Sequence, residues 1–187
     1  MKIIGGMFRG RNFFMPAGIR PTQDKTRKAI FDIIGQNLKG VDFLDLFAGS
    51  GAVGLEAISR QAKRVIFIEK DGRCVNVINE NLSILNINCC ENGASPFLVI
   101  QADTFIAIKQ LNKRNEKFDF IFLDPPYGTN LAKKTLKLLV AYDILHPNSF
   151  IIIQHDKREI LPESEGRFLR VKEKKYGNSL LSIFRGR

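Results

Sequence analysis

The stretch Val41-Asp42-Phe43-Leu44-Asp45-Leu46-Phe47-Ala48-Gly49-Ser50-Gly51-Ala52-Val53-Gly54 decides how this chain folds. Its first seven residues are largely apolar, the pattern of a strand buried on both faces. Gly49 and Gly51 then let the backbone turn sharply and approach a ligand with no β-carbon in the way. A helix opens at Ala52, carries Leu55 and Ile58, and can pack close to the sheet at Gly54. Strand, GxGxxG turn and helix together predict the first βα unit of a nucleotide-binding sheet. The loop alone leaves a dinucleotide-binding oxidoreductase open as a rival reading.

Downstream the alternation repeats. Arg64–Glu69 reads as a second strand, Phe97–Gln101 as a third, Phe118–Leu123 as a fourth and 150–154 as a fifth. Helical spacing links them through Val75, Ile78, Leu82 and Leu85, then Phe105, Ile108 and Leu111, then residues 131–140. The tail differs: 168–174 and 179–185, split by Tyr176-Gly177-Asn178, predict an antiparallel hairpin. Upstream, Phe8-Arg9-Gly10-Arg11-Asn12-Phe13-Phe14 mixes cations and aromatics with turn glycines, which predicts another hairpin within residues 2–20. Arg20-Pro21-Thr22-Gln23-Asp24 starts a helix with Ile30, Ile33, Ile34 and Leu38 on one face. The expected architecture is a doubly wound α/β fold with a mostly parallel seven-stranded sheet. It has an antiparallel C-terminal edge and a small N-terminal hairpin and helix (1–40), forming one unit with the main domain (41–187).

Charge is unevenly placed along the 187 residues. Residues 1–40 carry +6, residues 165–187 carry +5, and the middle carries −1. A near-neutral body with two cationic ends suits a polyanionic partner. No apolar run approaches the ~20 residues of a membrane span, and the N-terminus lacks a signal-peptide pattern. Cys74, Cys89 and Cys90 have neither disulfide nor zinc spacing. The expectation is therefore a cytoplasmic monomer that uses no metal.

Strand four ends in Asp124-Pro125-Pro126-Tyr127. A diproline cannot continue a ladder and stiffens the turn. Rigidity is useful if a carboxylate, a carbonyl and a ring must stay fixed around a reacting atom. The exocyclic amine of a nucleobase is a poor nucleophile because its lone pair is delocalised. If Asp124 and the Pro125 carbonyl accept its hydrogens, the lone pair can turn toward a sulfonium methyl while Tyr127 stacks on the base. Methylation of a pyrimidine carbon normally needs a cysteine nucleophile, and no cysteine here follows a strand or a proline. A dehydrogenase would need an acid/base group and a substrate domain, whereas the only histidines are His146 and His155. The motif fits guanine N2 and adenine N6 alike. A DNA adenine enzyme normally needs an extra base-flipping module, for which this chain has little room.

Four blocks then resemble the RsmD-like family of bacterial ribosomal RNA guanine-N2 methyltransferases. They are residues 5–11, Arg20-Pro21-Thr22-Gln23-Asp24-Lys25-Thr26-Arg27, 44–60 with its glycine loop, and Asp124-Pro125-Pro126-Tyr127. The resemblance implies a class I, Rossmann-like methyltransferase binding S-adenosyl-L-methionine through Phe47, Ala48, Gly49, Gly51, Glu69 and Asp103. Asp45, Ser50 and Lys70 are expected to flank that site, and Thr22 to close it. Asp124, Pro125, Pro126 and Tyr127 would surround a guanine of 16S ribosomal RNA in an assembling small subunit. Arg9, Arg11, Arg20 and Arg27 are the expected phosphate contacts, although Arg27 can instead pair with Asp24 one helical turn away. Family members usually carry a glutamate near the end of strand five, where this chain reads Gln154-His155-Asp156.

Overall fold

Apolar strands bounded by breakers pair where the alternation predicts. A computed structural model of the chain describes residues 1–16, 18, 24–87 and 95–187. Its elements run α1 (Asp24–Ile34), β1 (Asp42–Leu46), α2 (Ala52–Ser59), β2 (Arg64–Glu69), α3 (Gly72–Ile84), β3 (Phe97–Gln101) and α4 (Thr104–Lys113). They continue with β4 (Phe118–Leu123), α5 (Leu131–Ala141), β5 (Leu145–Asp156), β6 (Ser164–Glu165), β7 (Phe168–Tyr176) and β8 (Ser179–Gly186). The strand order is β3-β2-β1-β4-β5-β8-β7-β6. The first five are parallel and the last three antiparallel. The sheet thus has eight strands rather than the expected seven. The addition is the two-residue β6, too short to leave a periodic signal.

Strand alternation divides the core between two faces. Phe43, Phe67, Phe122 and Ile152 face α1, α2, α3 and the N-terminal arm. Leu44, Ile66, Ile121 and Ile151 face α4 and α5. Gly54 has its expected role: a β-carbon there would lie 2.1 Å from the Phe67 ring, so α2 sits against β2 only because that carbon is missing.

The arm turns back on itself as a short hairpin: Lys2 and Asn12 form an antiparallel bridge, flanked by the Ile3 N–H on the Arg11 carbonyl (3.0 Å) and the Phe13 N–H on the Met1 carbonyl (2.9 Å). It is also held by α2, with the Ile4 N–H on Glu56 (2.6 Å), the Phe8 N–H on Ser59 Oγ (3.0 Å) and the Met7 N–H on the Ser59 carbonyl (2.7 Å). Two expectations upstream of β1 need correction. Helix α1 stops before Leu38, because Gly35 takes a positive φ of 110°.

Arg27 is the second correction. Its side chain has no solvent exposure. The guanidinium donates to Asp24 (2.6 Å), to Glu56 (3.3 Å) and to the Lys2 carbonyl (2.9 Å), and it lies over the Phe13 ring. A cation so enclosed cannot reach an RNA phosphate. Glu56, itself fully buried, also pairs with Arg60, whose guanidinium stacks 4.2 Å from the Phe31 centroid. This network fastens the arm and α1 to α2. At the amino ends of the strands, Asp42, Asp119 and His146 cluster. Asp42 pairs with Arg64 at 3.5 Å, and Asp119 accepts the Asp42 N–H at 2.8 Å, which makes the cluster part of an ion-pair seam.

Candidate functional site

The carboxyl ends of β1, β2, β3 and β4 converge on one cleft of about 630 Å³. This is where an open α/β sheet binds ligands, and the volume suits a nucleoside-sized molecule. After β1 the chain contributes Phe47 and Gly49; after β2, Glu69, Lys70 and Asp71; after β3, Asp103 and Thr104; after β4, Asp124 and Pro126. The glycine loop and the Asp-Pro-Pro-Tyr turn, some 75 residues apart, therefore share one cavity.

The loop is shaped by backbone hydrogen bonds. Phe47 takes a φ of 58°, which disfavours a residue with a β-carbon and marks strain at the strand end. The Ala48 N–H reaches the Ile68 carbonyl at 3.0 Å, and the Gly51 N–H closes on the Ala48 carbonyl at 2.7 Å. Gly51 also has a positive φ of 74° and lies close against Ile78 and Phe67. Below the loop, Asp45 is buried, with Oδ2 accepting the Gly54 N–H at 2.9 Å. Burial pushes its carboxyl well above the usual range, and the nearby charges of Asp124 and Glu69 push it further. Asp45 thus joins β1 to α2 from beneath. Ala48, Ser50 and Gly51 shape the loop around the wall that Phe47 and Gly49 present.

Glu69 spans the cleft floor. One carboxylate oxygen accepts the Gly49 N–H at 2.7 Å; the other accepts the N–H groups of Lys70 (2.7 Å) and Asp71 (2.9 Å). A carboxylate offers about four acceptor positions. Three are filled, so one ribose hydroxyl fits directly, and a second requires the Gly49 N–H to release its oxygen. Asp103 caps α4 by accepting the Phe105 N–H at 2.9 Å and faces Lys70 Nζ at 3.9 Å.

Among the described residues, Glu69, Asp71, Asp103 and Asp124 line the cleft beside one cation, Lys70. Such a field favours a cationic ligand and repels a pyrophosphate, which separates the two readings that the glycine loop left open. Cys74 also lines the cleft. Desolvation, with the charges of Glu69 and Asp71, pushes its thiol up to about 11. At neutral pH it is protonated and unsuited to nucleophilic attack.

The turn after β4 is anchored from β5 and β8. The Tyr127 hydroxyl lies 2.7 Å from Ser179 Oγ and receives the Gln154 amide N–H at 3.1 Å. Buried Gln154 sits next to Asp124, since Leu123 pairs with Ile153 in the ladder. Sequence reasoning assigned no role to Gln154 or Ser179. The available signal was a lone polar residue ending an apolar strand. His155 points to the opposite face and bonds Ser182 Oγ at 2.9 Å, a structural contact. Pro125 is buried, whereas Pro126 is exposed at the mouth. Arg9 and Arg11 are exposed on the arm, and Arg11 donates to the Ile84 carbonyl at 3.2 Å. Arg20 and Thr22 lie outside the described residues.

The family model described as conserved hypothetical protein 95 matches residues 1–185. Ribosomal RNA small subunit methyltransferase D of Haemophilus influenzae is 37% identical over 88% of this chain and 84% of its own length. The Escherichia coli K12 protein of the same name is 30% identical over 98% and 89%. Among solved structures, a hypothetical protein of a Thermus species superposes with a TM-score of 0.81 at 29% identity, covering 98% of both chains.

Proposed function

Because this chain belongs to the family of the ribosomal RNA small subunit methyltransferase D proteins, we propose that it methylates the N2 amine of a guanine in 16S ribosomal RNA. What carries this reading is the meeting of the glycine loop and the Asp124 turn along one carboxylate-lined cleft. When bound there, S-adenosyl-L-methionine supplies an electrophilic methyl on a positively charged sulfur. Glu69 is placed to hold the ribose, Asp103 the adenine end, and the backbone at Gly49 the segment between them. The carboxylates around them favour the cationic centre.

Asp124 and the Pro125 carbonyl accept the two amine hydrogens, draw the nitrogen toward pyramidal geometry and so free its lone pair from conjugation with the ring. The Tyr127 ring, held at its hydroxyl by Ser179 and Gln154, supports the base and sets its distance. Alignment does the catalytic work, with no covalent link between protein and base. All the groups invoked come from one chain, which suits a monomer acting in the cytoplasm on an assembling small subunit.

Mass spectrometry of small-subunit RNA from cells with and without the protein tests this reading. One N2-methylguanosine is expected to disappear; an unchanged set of methylguanosines overturns it. Glu69→Ala is expected to weaken S-adenosylmethionine binding about 10- to 100-fold by calorimetry, the value of a charged hydrogen bond. Unchanged affinity would mean that the ribose lies elsewhere.

A further inference from the structure

We propose that one face of the C-terminal hairpin, carrying Lys172, Lys174 and Arg185, docks the RNA strand flanking the target nucleotide. The proposal rests on the functional reading above and assigns the path of its substrate. Between residues 168 and 187 there are six cations and one acid, Glu173. The pleat sorts them. Lys172 pairs in register with Ile183, and Lys174 with Leu181, so both point to the face covered elsewhere by α1, α2 and α3. Arg185 shares that face, over the Phe150 ring at 5.6 Å.

Glu173 lies on the other face, where it pairs with Arg170 at 2.8 Å and accepts from Ser182 at 2.9 Å. The hairpin's acid is therefore engaged away from the three cations. All three are exposed, and Lys174 is steadied 5.5 Å from the Tyr176 centroid. The row starts at the catalytic rim: Tyr176 pairs with Ser179, whose hydroxyl meets that of Tyr127. Lys174 and Lys172 follow at about 7 and 13 Å along the strand. Lys25 and Lys28 of α1, together with Arg9 and Arg11 of the arm, are exposed on elements packed against the same face. A phosphate backbone leaving a guanine at Tyr127 meets this surface first.

Lysines on β7 also have a plain structural use, because among the described residues that edge is covered only at Phe168 and Leu169 by β6 and at Arg170 by the Glu163 carbonyl. Edge protection does not depend on which face a lysine occupies, and the test uses that difference. K172E/K174E is compared with K175E/K137E, which makes the same charge change on the opposite face. Methyl transfer to small ribosomal subunits from cells lacking the protein is followed at increasing KCl. The first variant is expected to raise KM at least 10-fold with kcat within twofold. Its salt slope should fall by about 1.5, as for two lost phosphate contacts. The second variant should stay within twofold of wild type, and S-adenosylmethionine affinity should hold in both. Equal shifts in the two variants, or none in the first, would overturn the docking face. No transfer by the wild type would overturn the functional reading, and this proposal with it.

Discussion

Asp124→Ala is expected to lower kcat for methyl transfer by about 10²- to 10³-fold, while calorimetry finds S-adenosylmethionine binding within about threefold of wild type. The size follows from removing one preorganised partner of the reacting group. Without the carboxylate, the amine stays planar with its lone pair delocalised into the ring, and Pro125 alone cannot draw it toward pyramidal geometry. Asp124 also lines the cavity beside Glu69 and Asp103, so its loss removes some negative field, but the principal cofactor contacts stay. Asp124→Asn keeps one acceptor and should fall between the two. Wild-type turnover in Asp124→Ala would mean that another group orients the amine.

Glu56→Ala is expected to cost about 3–5 kcal/mol, because deleting one member of a buried ion cluster leaves the others charged and unpaired. Two guanidiniums, Arg27 and Arg60, and the Ile4 N–H all use this carboxylate. For a chain of this length the midpoint should drop by roughly 10 °C. The arm should become protease-sensitive as its anchor on α2 is lost. Removing Arg27 as well, with methionine there and leucine at 56, should recover part of the loss. A midpoint shift under 2 °C for Glu56→Ala would show that solvent already screens the cluster.

How legible these features were depends on how local their signals are. Strands β2, β3 and β4 have the bounds read from sequence, since each is a run of apolar or β-forming residues closed by a charge or a turn residue. Strand β5 begins five residues earlier than expected, at Leu145. Pro147 and Asn148 hid its start, and the ladder there is irregular between Phe118 and Phe120. The glycine loop, Glu69, Asp103 and Asp124 were legible because each closes a parallel strand, and the carboxyl ends of such strands form one rim.

For Arg27 the helical pairing with Asp24 is legible and present at 2.6 Å, but the partner that helps bury it, Glu56, is 29 residues away, beyond the reach of helical spacing. Its trace was nevertheless present: α2 reads AVGLEAIS, and a single acid in a wholly buried helix requires a cation. The clamp on Tyr127 could not be read, because Ser179 reaches it only through the antiparallel return of β8 beside β5.

The most direct test of the account is the identity of the methylated product. Purified protein, S-adenosylmethionine with a labelled methyl group and small subunits from cells lacking the protein are incubated together, and the RNA is digested to nucleosides. The account predicts the label in N2-methylguanosine; label in N6-methyladenosine or in a carbon-methylated base would contradict it.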